Sequence, residues 1–301
     1  MQQTLDEFLS HAWDEHADSP RAVADRLPQA FELLLLEPAG AAELARLIEH
    51  VLLAHLDQGE ALRSQLNLLQ PLAEFDPMLA LALHRSVLAL ALADDDLGSD
   101  LADLYKTLSA AEQVRAYGQA ALALTHRAQW SRVHAMIEEA TRIAQSDDEG
   151  KALRALAALT NNLADHLRHY RASGDADQSE RDALMLHAAR LARVHWERAG
   201  GWVEVERADY QLALCHAVVG QGETALQHAQ ACLSACLENG ADAFELFFAH
   251  EAMAHAYLAS NQADQASQQR LLMQDLLTTV EDATSREYAL TCLKKLDALL
   301  S

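Results

Sequence analysis

Apolar residues recur along this chain at three- and four-residue intervals, broken by short polar stretches rich in Gly, Asp, Asn and Ser. That spacing predicts amphipathic α-helices joined by tight turns. The stripe is cleanest over residues 150–170, where Leu153, Leu156, Thr160, Leu163, Leu167 and Tyr170 fall on one side. A first helix over 2–16 would carry Leu5, Phe8, Leu9 and Trp13 on its buried face. Ser19-Pro20 reads as a cap and a proline at the first helical position. Pro28 should interrupt the next segment, and Pro38-Ala39-Gly40 should end it.

From Ala41 the pattern reads as hairpins. One helix covers 41–56 and stops at Asp57-Gln58-Gly59; a second follows, with Pro71 kinking its last turns. Asp76-Pro77 caps another helix, which ends in the acidic break at 94–98, and a short helix comes next. A further hairpin then points Ala121, Leu124, Val133, Ile137 and Ala140 inward. Residues 171–180 read as a polar, mobile connection to a long helix over 182–198, and Gly200-Gly201 closes that helix. The last helix puts Leu290, Leu293, Leu296 and Leu300 on one stripe.

Residues 203–280 hold two hairpins built to one plan. Ala225 opens the second helix of the first and Ala266 that of the next, so the period is 41 residues. Leu212-Ala213, His216, Gly220, Ala225, Ala229 and Cys232 are matched by Met253-Ala254, Tyr257, Asn261 and Ala266. Small residues at these places let paired helices approach closely. The pattern resembles the tetratricopeptide repeat family, from whose ~34-residue period it departs. His216 stands at the usual aromatic position, and Glu238-Asn239-Gly240 where that family carries a proline.

The resemblance implies an all-α, right-handed superhelical solenoid of about seven antiparallel hairpins. One continuous domain is expected: an irregular helical cap over 1–40, the repeat array over 41–280, and a capping helix over 281–301. By the same resemblance the first helix of each hairpin lines a concave groove. Arg207, Tyr210, Leu214 and Val218 would face it from one unit, and Phe248, Glu251 and His255 from the next. The alternative is that Tyr210 and Phe248 are ordinary packing residues, since Phe244, Phe247 and Phe248 cannot all point one way.

Composition supports the helical class. The chain has 301 residues with half apolar, and its 11 Gly and 5 Pro are too few for a turn-dense β fold. Acidic residues outnumber basic ones 45 to 23, for a net charge of −22. Such a field disfavours nucleic acid and anionic lipid, and steers basic partners. The four Cys read as small apolar core groups rather than a disulfide framework. The N-terminal residues lack the pattern of a secretory signal, and the Leu/Ala run around 79–93 is broken by His84-Arg85, short of a bilayer span. A cytoplasmic location is expected.

Fifteen His invite a search for metal ligands. His250-Glu251-Ala252-Met253-Ala254-His255 looks like the zinc-protease helix, which needs its two His four residues apart. A five-residue spacing turns an α-helix by about 140°, so the rings diverge. His50/His55 and His11/His16 fail in the same way. Asp165, His166 and His169 share a face, but such a trio on one helix is more often a solvated polar surface. The sequence thus nominates no metal and no cofactor. Phosphate loops, dinucleotide fingerprints and nucleophile elbows are absent, so no enzyme is expected. The function this leaves is a non-catalytic scaffold that holds a partner protein or peptide, of basic character, in the groove. No nucleic acid and no membrane is expected as a partner, and homodimerisation stays open. The runner-up is a sensory or regulatory module of a signalling protein or transcriptional regulator that binds a small ligand or inhibitor.

Overall fold

The computed structural model describes residues 3–96, 101–147, 149–170 and 174–300. Among them there are fifteen α-helices and no strands, so the all-α expectation holds. The chain divides into two compact units, Met1–Leu159 and Thr160–Ser301, where the sequence reading had one continuous array.

The first unit begins with α1 (Leu5–Glu15), α2 (Pro20–Leu34) and α3 (Ala41–Glu49). Thr4 and Glu7 form a reciprocal capping box on α1. Pro28 does not interrupt α2 but lies inside it, and Ser19 makes no side-chain cap bond. Beyond α3 the expected single helix over 41–56 changes form: His50–His55 is a π-helix. There follow α4 (Gly59–Leu69), a 3-10 turn at Gln70–Leu72 where Pro71 had predicted a kink, and α5 (Pro77–Asp94). Asp76 caps α5 by accepting from the backbone N–H groups of Met78 and Leu79. Then come α6 (Leu101–Thr107), α7 (Ala110–His126), α8 (Trp130–Gln145) and the first part of α9 (Lys151–His169). Positions 97 and 98 of the expected acidic break lie outside the described residues.

Alternate helices of this unit lie side by side, α3 against α5 and α5 against α7, with the π-helix also against α7. Their shared core is almost wholly Leu, Ile, Val and Ala, with Leu44, Leu47, Ile48, Leu53, Leu79 and Leu88 fully enclosed. Each such side chain stabilises the fold by roughly 1.5–3 kcal/mol. The five inward residues expected on α7 and α8 are all buried. Gly118 of α7 lets Leu159 of α9 come so close that a Cβ there would lie 2.0 Å from its Cδ1.

One charged group crosses that core. Arg85 of α5 donates through Nε to Glu49 at 2.9 Å and through Nη1 to Glu112 of α7 at 3.2 Å, and its Nη2 also meets Glu49. Burial pushes the Glu49 carboxyl up, against the pull of Arg85. The two carboxylates in turn hold the buried Arg85 protonated. By length and mean hydropathy (1.3 over 18 residues) α5 is apolar enough to cross a bilayer, contrary to the sequence estimate. More than half of it is buried in this unit, which is what a core helix also gives.

The second unit holds the end of α9, then α10 (Asp175–Ala199), α11 (Trp202–Val218), α12 (Gly222–Asn239), α13 (Ala243–Ala259), α14 (Ala263–Leu277) and α15 (Ala283–Leu300). Helix α10 starts earlier than expected and takes in much of the polar connection, because Gly174 supplies an extended N-cap. Residues 171–173 of that connection lie outside the described residues. The break at 260–262 falls between helices as read; of 220–222 only Gly220 and Gln221 do, since Gly222 opens α12, and Gly220 and Asn261 are in the left-handed region. Asp242 caps α13 through Phe244 and Glu245.

Packing here follows the small residues. Ala213, Ala225, Ala229, Ala252 and Ala256 form one cluster, and Cys232, Cys236 and Ala249 another. Gly222 is required by contact with backbone: an added Cβ would stand 2.7 Å from Ser260 N and 2.8 Å from Ala259 C. Helices pair in sequence, α11 with α12 and α13 with α14, while α11 also touches α13 and α13 touches α15.

Candidate functional site

The seven residues expected to line a groove lie on α11 and α13, and the structure separates them. Leu214 is only 3% exposed and belongs to the core, which corrects its placement on an open face. Val218 is exposed near the end of α11. Arg207 is exposed and pairs across to Glu245 of α13. Three of the other four come together. Tyr210 donates its hydroxyl to Glu251 Oε2 at 2.7 Å, and its ring meets Phe248 edge-on with centroids 5.9 Å apart. Phe248 in turn contacts Phe244, Phe247 and, at 5.7 Å, Tyr288 of α15. His255 lies one turn beyond Glu251; burial, with Arg168 as a nearby like charge, lowers its pKa to about 4.

The α11–α13 contact brings equivalent positions together. Tyr210 and Glu251 are 41 residues apart, the repeat period itself. One period further on stands Cys292 of α15, whose thiol is pushed up to about 12 by burial and then by the Glu251 charge. Burial raises Glu251 as well, while the Tyr210 hydrogen bond and the Arg168 and Lys295 charges pull the other way. Arg168 at the end of α9 is held by Asp165 at 2.6 Å. Sequence reading missed Arg168, Tyr288 and Lys295; Tyr288 and Lys295 flank Cys292 on α15, one period beyond Glu251, while nothing in the spacing marked Arg168.

Two further polar clusters emerge. In the second unit Glu206 is 2% exposed and accepts from the thiols of Cys232 at 3.1 Å and Cys236 at 3.6 Å. Burial pushes its carboxyl well above the usual range, against the pull of the Cys232 hydrogen bond. The Cys are free and buried, as the composition suggested. His216, at the family's aromatic position, is buried and bonds Gln221 in the turn that follows, at 2.7 Å.

In the first unit His16, His50 and His55 meet, and the exclusion of His50/His55 by α-helical geometry is overturned. The π-helix has more residues per turn than an α-helix, so a five-residue step brings two side chains nearly in line. Their Nε2 atoms lie 3.2 Å apart. The His16 ring, from the C-cap of α1, has its centroid 4.9 Å from that of His50 and 5.2 Å from that of His55. Trp13 covers the group from 5.6 Å over His50. No residue type in His50-Val51-Leu52-Leu53-Ala54-His55 marks a π-helix. The one hint was four successive apolar residues, too many for a one-sided stripe, and all four are buried. By contrast His250 and His255, on the regular α13, point apart: His250 bonds Gln269 of α14 at 2.7 Å. His11 stays exposed. Asp165, His166 and His169 do not converge as ligands, and Asp165 is taken by Arg168.

The sequence matches no protein-family model and no curated protein.

Proposed function

We propose that the second unit is a non-catalytic binding module, similar to tetratricopeptide repeats, that holds a segment of a partner protein on the face shared by α11, α13 and α15. In this reading the hairpins α11–α12 and α13–α14 succeed one another as in a right-handed solenoid. Contact between alternate helices, and the Tyr210–Glu251 bond between equivalent positions, support that stacking.

The observation that carries the reading is Tyr288. It is 54% exposed, yet its ring rests on Phe248, which is seated on Tyr210. An open aromatic backed by a fixed aromatic cluster is a typical anchor point at protein interfaces. The net charge of −22 steers a basic segment towards it. A peptide with a positive charge and one apolar anchor fits best.

Selection from a displayed peptide library tests this. Basic peptides should be enriched, and Tyr288→Ala should weaken the best of them about tenfold without lowering Tm. Arg207→Glu should shift the charge preference. Failure to select any peptide, or equal binding by the Tyr288→Ala chain, would refute the proposal.

A further inference from the structure

We propose that His16, His50 and His55 bind a borderline divalent transition-metal ion, Zn²⁺ or one of its neighbours in the series, through their Nε2 atoms. One ring nitrogen from each of the three lies within 4.8 Å of the others. A tetrahedral ion with ~2.0 Å bonds to nitrogen sets its ligands about 3.3 Å apart. The His50–His55 separation of 3.2 Å already matches, and only His16 needs to close in.

The rings of His16 and His50 are held in the tautomer that such binding needs, while His55 donates from Nε2 to His50 and releases that proton when an ion takes its place. His50 donates from Nδ1 to Gln119 Oε1 at 3.1 Å. His16 donates from Nδ1 to the backbone carbonyl of Trp13, an atom that can only accept. As neutral rings these two therefore present an unprotonated Nε2 to the cluster. A second-shell acceptor on the far nitrogen is the usual support of a metal-binding His, because it fixes the ring and makes it more basic.

The support extends into the fold. His126 of α7 donates from Nε2 to the carbonyl of Ala54 at 3.0 Å, inside the π-helix. Its neighbour Arg127 grips Asp57 just past the π-helix with bonds of 2.7 to 3.0 Å. Asp57 itself has a left-handed backbone, φ 51°. The unusual helix is thus anchored from both the carbonyl side and its C-terminal end. π-helical turns are uncommon and are found often at functional sites. Three imidazoles with no thiolate or carboxylate favour Zn²⁺, Co²⁺, Ni²⁺ or Cu²⁺ over Mg²⁺ or Ca²⁺. Three protein ligands also leave a coordination position for water or a small anion.

The test uses the full chain, stripped with a chelator and titrated with Co²⁺ and with Zn²⁺ at neutral pH. One equivalent should bind, with a cobalt spectrum of nitrogen ligation and a rise in Tm. His16→Gln and His55→Gln should each weaken binding at least about 100-fold, and Gln119→Leu by about 10- to 100-fold. His11→Gln, at an exposed position, should change nothing. His16 sits at the end of α1, so its variant keeps the test valid if His55→Gln fails to fold. Absence of a stoichiometric site, or binding that survives His16→Gln, would overturn the assignment.

Discussion

Each unit carries two histidines five residues apart with a buried glutamate beside the first: Glu49, His50 and His55 in one, His250, Glu251 and His255 in the other. The two outcomes differ in every respect. On the π-helix the rings meet, and Glu49 is met by the Arg85 guanidinium. On α13 the rings part, and Glu251 accepts the Tyr210 hydroxyl. Residue spacing therefore says nothing about ligand geometry until the helix type is known, and tertiary contacts decide the type.

The comparison breaks most visibly at Glu49. Its removal in Glu49→Ala leaves Arg85 buried with Glu112 alone, and should cost about 3–5 kcal/mol in chemical denaturation. A cost under about 1 kcal/mol would mean that the ion pair does not hold this part of the first unit. On the other side, α13 depends on the close approach at Gly222. Gly222→Ala places a methyl group against Ala259 and Ser260 backbone, which cannot swing aside, and should cost about 1–3 kcal/mol. Gly118→Ala meets the flexible end of Leu159 and should cost less; the order of the two Tm values checks this.

Smaller still, Tyr210→Phe keeps the ring contacts and deletes the one bond to Glu251, for a loss of about 1 kcal/mol. A neutral result would place the hydroxyl outside the stabilising network. The subtlest difference is in pH dependence. Burial raises Glu251 in the folded state above its ordinary 4.5, so the folded chain holds that proton more tightly than the unfolded chain. Its contribution to stability therefore falls as pH rises from about 4.5 through the folded pKa. Glu251→Gln removes that slope, and the variant should gain on the parent as pH increases. Parallel curves from acid to neutral pH would contradict the burial effect.

Most of the helices were legible because their signals are local. Gly220, Asn261 and the Ala225/Ala266 pair mark turns and close contacts by what their side chains lack. The stripe on 150–170 likewise reports burial directly. What stayed hidden depends on distant groups. Nothing in residues 50–55 records the bond from His126 or the grip of Arg127 on Asp57 just beyond, so the pair His50/His55 was ruled out on sound α-helical geometry. Pro28 was read as a break, though α2 carries it. Leu214 was assigned to a surface by analogy of position, whereas its neighbours enclose it. The 41-residue spacing pointed to α11 and α13 but not to which of their neighbours' side chains stay open, and Tyr288 of α15 escaped notice for that reason.

The hydrogen bond between Tyr210 and Glu251 constrains how this pair can change. Losing the hydroxyl alone strands a buried carboxyl without its donor, whereas exchanging both residues for apolar side chains of similar shape removes the polar requirement altogether. The two positions are therefore expected to vary together or not at all.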